Sequence, residues 1–400
     1  MANAIAALSA GLGREDARRA DEESLAEGAR DSVSAMRAAQ GFRRKGRLDL
    51  AVAVLERAGD LSNPKHDAYY RQQLIDLDDN PRLQRAVRAS IARLPDSAPA
   101  AEAAQLATLC GHAGIVCLEP ASIEWLLNKT EQAAARSRPL RLVRDGLRRR
   151  LEFRRAVSDG LEGHATLISL GLNCMPWTLA NRWGLRSPEE FATLFTPFAH
   201  GVHKMRSVVH ALQTDFEDYA PAGKLKSVES KGGRQTPMQA DGQVYWNHNL
   251  GSYWIDDDFA RLREGVAQKI DGFRTACRAE DAVFMISKAP IDYPARPLSF
   301  LDDLNKALEP FTGRTKNRVL LSTEYAQTAG RHTVDAWTQV LNCPYPSADY
   351  VWYEMSDGEE TLAYDASCAQ AIVDSLKEWG LLRARGEAAG ARAQATMAAG

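Results

Sequence analysis

Four short apolar runs in the second half of the chain, at 167–170, 282–287, 318–322 and 350–354, limit what this sequence can become. Each is too short for a stable helix, and each is built from aliphatic or aromatic side chains. Between and after them lie segments with helical spacing, at 259–277, 299–308, 332–341 and 367–379. Short runs buried on both faces and separated by helices are the pattern of parallel strands with crossover helices. The expectation is an α/β domain over residues 165–383, with a mainly parallel sheet flanked by helices. Sites on such sheets gather where the strands end. Cys174, Lys288, Glu324 and Ser356 follow the four runs.

The first half has a different periodicity. Residues 34–46 and 48–58 read as two amphipathic helices around Lys45-Gly46-Arg47, closed by Asn63-Pro64. Phe42, Ala51, Leu55, Ala58 and Pro64 fall near the bulky, small and terminating positions of a tetratricopeptide repeat, which the pair resembles. Helical spacing continues at 67–77, 81–94, 100–114 and 122–137. An all-α, helical-repeat-like domain over 29–157 is expected, of the kind that docks a protein partner. Residues 1–28 and 384–400, rich in Ala, Gly and Arg, read as disordered or loosely helical ends. The arginine-rich stretch 138–155 interleaves Leu140, Val143, Leu147 and Leu151 at helical intervals, which favours a solvated or bridging helix over a phosphate-binding stripe. Ser158 to Gly163 reads as the linker between the domains.

Charge and cysteine usage narrow the function. A formal net charge of -2 does not suggest a nucleic-acid binder, and no apolar run reaches the roughly 18 residues of a membrane span. Six cysteines without a C-x-x-C pair suggest neither a zinc ribbon nor a disulfide framework, so a reducing cytoplasm is the default. Phosphate-binding and dinucleotide fingerprints are absent, and no cofactor or metal is expected. His200, His203 and His210 with Asp215 could be drawn as a metal site on one helix face, but the H-E-x-x-H form is missing.

The strongest chemical signal is Thr166-Leu-Ile-Ser-Leu-Gly-Leu-Asn-Cys174-Met-Pro-Trp, a strand, a tight turn and a helix start. Pro176 suits a first helical turn, and Gly171 permits a backbone path that other residues resist. Cys174 would then sit at a helix N-terminus, where unpaired N–H groups favour a thiolate. The competing reading is a half-buried structural thiol behind a strand. Thiol chemistry also needs a base and oxyanion donors. Asn173 and the turn amides could donate. Among the histidines, His248 lies in the polar, aromatic loop Tyr245-Trp-Asn-His-Asn-Leu-Gly-Ser-Tyr-Trp254, which makes it the first candidate base. Trp246, Asn247, Asn249, Tyr253 and Trp254 could hold a carbohydrate or peptide substrate, or serve only as core and turn residues. Asp256, Asp257 and Asp258 could orient an imidazole, although Asp258 reads better as the cap of the next helix.

Ser169-Leu-Gly-Leu-Asn-Cys174, Thr196-Pro-Phe-Ala199 and Trp246-Asn-His248-Asn together resemble a bacterial family of uncharacterised, papain-like cysteine peptidases. That family carries a Ser-Leu-Gly-x-Asn-Cys motif, a Pro-Phe-Asp segment and a later histidine loop. The likeness covers roughly residues 165–295 and implies a Cys174–His248 site. This chain departs from it at Ala199, where the family has Asp. The turn is also similar to that of capsule-biosynthesis acyltransferase-like proteins, in which the acyl group would pass to a sugar hydroxyl. A cytoplasmic thiol-dependent hydrolase or acyltransferase is one expectation. A non-catalytic scaffold, with a partner-docking helical domain and a glycan- or nucleotide-sugar-binding α/β domain, is the other.

Overall fold

The computed structural model describes residues 31–58, 63–94, 100–112, 117–230, 233–287, 293–294, 298–324, 328–347, 350, 352 and 358–385. The expected disordered end at 1–28 lies outside them, as do Lys288, Ser356 and residues 386–400 of the expected 384–400 tail, whereas Ala384 belongs to a strand. Contacts divide the chain into two compact units, Met1–Leu94 with Asn249–Tyr253, and Pro95–His248 with Trp254–Gly400.

The first unit is helical. Asp31 accepts from the amides of Val33 and Ser34 and opens α1 (Ser32–Arg44) with a capping box. The chain reverses at Lys45-Gly46-Arg47 into α2 (Leu48–Ala58). Asn63 caps α3 (Pro64–Asp76), whose Pro64 occupies a first-turn position that needs no amide donor. Asp79 caps α4 (Asn80–Arg93) in the same manner. Phe42, Val52, Leu55, Leu74, Leu83 and Val87 are buried, as the apolar spacing requires.

Three more helices begin the second unit: α5 (Ala100–His112), α6 (Pro120–Arg136) and α7 (Arg138–Gly160). α7 carries the arginine run, and it buries Arg150 and Arg154 along with its leucines. Phe153 meets Trp183 edge-on at 5.2 Å. The Arg154 guanidinium donates to the carbonyls of Leu118, Asn181 and Arg182. The expected linker is not a linker: Ser158 to Gly160 form the last turn of α7, and β1 (Leu161–Gly163) pairs antiparallel with a strand near the C-terminus, as described below. Continued amphipathic spacing in α7 outweighs the Ser-Asp-Gly signal.

The central sheet orders its strands as β2 (Thr166–Ser169), β7 (Ala282–Ile286), β8 (Arg318–Thr323), β10 (Thr338–Asn342) and β9 (Gly330–Thr333). β2, β7, β8 and β10 run parallel, and β9 closes one edge antiparallel to β10. The expected mixed α/β unit with mostly parallel strands is therefore present. Period-2 alternation splits its residues between two faces. Leu167, Val283, Met285, Leu320 and Leu341 share a core with α8 (Met175–Arg182) and α13 (Glu359–Glu378), while Ile168, Phe284, Ile286, Val319 and Val340 are buried facing the other way.

Two expectations fail here. Residues 332–341 do not form a helix but contribute to the β9–β10 hairpin, with Asp335 accepting from the amides of Trp337 and Thr338 at its turn. β-branched Thr333, Val334, Thr338 and Val340 favour extended backbone there. The fourth parallel strand is thus β10, and the described residues of the expected 350–354 strand, Tyr350 and Trp352, are not in a strand.

Between β2 and β7 the chain builds an insertion. It holds α8, α9 (Pro188–Thr193), α10 (Met205–Gln213) and α11 (Ser252–Ala276), and an antiparallel sheet ordered β3 (Val202–His203), β6 (Val244–Tyr245), β5 (Gln235–Gln239) and β4 (Leu225–Glu229). α11 is broken at Asp256–Phe259, where Asp257, Asp258 and Phe259 take left-handed backbone, so Asp258 lies inside a kink and does not cap a helix start. α12 (Phe300–Thr312) connects β7 to β8. After α13, β11 (Leu382–Ala384) pairs with β1. Among the described residues no helix is long and apolar enough to cross a membrane.

Candidate functional site

Backbone hydrogen bonds hold the turn after β2 on several sides. The Leu170 amide donates to Met285 O and the Ser287 amide to Gly171 O, both at 2.9 Å, which ties the turn to the end of β7. The His203 amide donates to Leu172 O at 2.9 Å. Gly171 has φ +84°, a region that side chains disfavour, and a Cβ there would lie 3.1 Å from His203 Nδ1. The path favours glycine, and a Cβ would sit tight against the imidazole.

Asn173 then starts the helix. Its Oδ1 accepts from the Met175 amide at 2.9 Å and from Ser287 Oγ at 2.5 Å. This carboxamide oxygen is committed to holding the turn, so any donor role falls to its Nδ2 or to the backbone amides. Cys174 is the N-cap residue of α8, and its side chain makes no capping hydrogen bond. Of the six cysteines it alone is half-buried, while the other five are buried. Burial pushes the Cys117 and Cys277 thiols upward, away from thiolate chemistry.

The histidines fall into separate settings. His248 is half-buried and stacks on His200, with ring centroids 4.3 Å apart and planes inclined by 18°. His200 in turn meets Phe195 edge-on at 4.7 Å and Trp177, in the first turn of α8, at 6.4 Å. His248 is thus linked to the helix that Cys174 caps through His200 and the Trp177 ring. His203 lies in β3 and His210 in α10, so the two do not share a helix face. Among the described residues no three His, Cys, Asp or Glu side chains gather as a metal site would require.

His203 is a buried group that sequence reasoning does not single out as part of the turn. Tyr219 Oη donates to Pro197 O at 3.0 Å and lies 2.6 Å from His203 Nε2. A tautomer with Nε2–H donating to Tyr219 Oη satisfies both contacts. Burial drives the imidazole down to about 3, against the opposing pull of the Gly201 carbonyl. Burial likewise raises the Tyr219 hydroxyl. Ser287 is a second residue that sequence reasoning misses. Its position one residue beyond a parallel strand is the available signal. Glu324, one residue beyond β8, is half-buried.

The expected substrate-binding residues are dispersed. Trp246 is only 2% exposed and packs edge-on to Tyr219 at 5.6 Å, and Trp254 is 6% exposed. Neither offers an open stacking face, which corrects the expectation of a Trp platform: apolar burial claims both rings. Asn247 is half-buried, whereas the contacts group buried Asn249 and half-buried Tyr253 with the first unit. Ala199 is fully enclosed, with its amide bonded to Thr196 O at 3.0 Å. No family model, curated protein or solved structure matches the chain.

Proposed function

We propose that the second unit performs thiol-dependent acyl chemistry, with Cys174 as nucleophile and His248 as base. The observation that carries this reading is the placement of the one half-buried cysteine at the N-terminus of α8, beyond a parallel strand, with capping taken over by Asn173. The positive end of the helix dipole favours an anionic sulfur at that place. In the proposed reaction the thiolate adds to a carbonyl carbon of a peptide- or glycan-linked substrate. The leaving group departs with a proton from the imidazolium, and a thioester remains on Cys174. Water, or a sugar hydroxyl in the acyltransferase variant, then releases the acyl group, its proton passing back to the imidazole. The neighbouring turn amides, with Asn173 Nδ2, would serve the oxyanion. The helices of the first unit would dock a protein partner, in keeping with their resemblance to tetratricopeptide pairs.

The non-catalytic scaffold reading draws support from buried Ala199, which removes the acid found in the similar family. The two readings separate by experiment. Catalysis requires Cys174→Ser to lose thioester formation with an activated acyl probe while the fold persists, and His248→Gln to slow it by about 10²-fold or more. Equal acylation of wild type and Cys174→Ser would leave the scaffold.

A further inference from the structure

A cleft of about 520 Å³ opens between α10 and the antiparallel sheet. That volume falls within the range of small-molecule sites. Its base is fixed: Tyr219 and Ser207 are buried, and Gln239 Nε2 donates to the carbonyls of Asp218 and Tyr219 at 3.1 and 2.7 Å.

The charges on its walls are arranged unusually. Arg206 Nε donates to Gln243 Oε1 at 2.6 Å, and among the described residues no carboxylate pairs with this guanidinium. Asp241 accepts from the Gln243 amide at 3.1 Å and likewise has no cationic partner among the described residues. Gln243 also donates from Nε2 to Asp241 O at 3.3 Å. A guanidinium and a carboxylate are therefore both held by one neutral glutamine, and neither neutralises the other. Asp218 adds a second carboxylate, approached only loosely by His210 at 3.5 Å and Lys224 at 3.6 Å. A lone anion would meet the two carboxylates, and a lone cation would meet Arg206 and Lys224. A ligand with both charges satisfies both ends, with the planar guanidinium suited to a carboxylate.

We propose that this cleft binds a short zwitterionic peptide, its carboxylate on Arg206 and its ammonium on Asp241, with Asp218 lining the same cleft. The volume exceeds what a single amino acid fills, which favours two or three residues. The proposal concerns binding and does not depend on the chemistry of Cys174.

The test is calorimetric titration with trialanine, alongside N-acetyl-trialanine, trialanine amide and the doubly blocked N-acetyl amide, in wild type and in Cys174→Ser. Trialanine is expected to bind both proteins equally, and each blocked form to bind at least tenfold more weakly. Arg206→Gln and Asp241→Asn, both at exposed positions, should each weaken trialanine at least tenfold with unchanged circular dichroism. The proposal fails if trialanine does not bind at millimolar concentration, or if the doubly blocked form binds equally well. It also fails if binding survives both substitutions, or if Cys174→Ser alone abolishes it. None of these results decides whether Cys174 forms a thioester.

Discussion

At the scale of single residues, the turn depends on Gly171, Asn173 and His203. Gly171→Ala would force a methyl group into left-handed backbone and to 3.1 Å from His203 Nδ1. Strain of this kind costs about 1–3 kcal/mol, so urea denaturation should show a loss in that range. Asn173 joins the two sides of the turn, since one oxygen serves both the helix amide and Ser287 Oγ. His203 adds a pH dependence. Its imidazole titrates at about 3 in the fold, below its unfolded value of 6.5. Between those values the unfolded chain binds the extra proton, so acidification favours unfolding and raising the pH restores stability. This group alone should weaken the fold by about 1.4 kcal/mol per pH unit from roughly pH 6 down toward 3. Denaturant midpoints across that range should lose most of this slope in His203→Gln if the fold accepts the amide.

At the scale of elements, the packing of α8 against α13 contains a buried ion pair. Arg182 Nη1 lies 3.2 Å from Asp365 Oδ2, and Trp352 Nε1 donates to Asp365 Oδ1 at 3.0 Å. Asp365→Asn takes this carboxylate away from the buried guanidinium and should cost about 3–5 kcal/mol by chemical denaturation. An Arg182→Met, Asp365→Leu double substitution should recover most of that loss. The same elements show what sequence can and cannot reveal. β2, β7 and β8 are readable because they are continuous apolar runs, which mark strands covered on both faces. β9 and β10 read as a helix because Trp337, Val340 and Leu341 fall at spacings that suit one, and only pairing with β8 decides between the two. The sheet of β3 to β6 gives no signal at all. Its strands are two to five residues long, polar and half-exposed, so tertiary pairing and not local pattern defines them. The cysteine turn is legible from its glycine, asparagine and proline. Ser287 and His203 are not, since they reach it from 114 residues away along the chain in one case and from a separate strand in the other.

At the scale of the whole molecule, the last strand of the second unit returns to the segment between α7 and the central sheet. β1 pairs with β11, and the His164 amide donates to Leu381 O at 3.1 Å. Removing residues 381–400 should lower the melting temperature by several degrees in calorimetry, because it strips a strand partner from the segment that leads into β2. Beside that junction His164 lies between Asp281 and Glu190. Burial lowers its pKa, but the Asp281 hydrogen bond and the two carboxylate charges outweigh that and raise it overall.

On the proposed reading, the turn presents one reactive thiol. The most direct measurement is the rate at which each of the six cysteines is alkylated by iodoacetamide in the folded protein, resolved by peptide mass spectrometry at neutral pH. Cys174 should react at least tenfold faster than the five buried cysteines, and His248→Gln should slow it while leaving the others unchanged. Alkylation of Cys174 no faster than that of Cys117 or Cys277, or a rate indifferent to His248, would rule out an activated thiol at this turn.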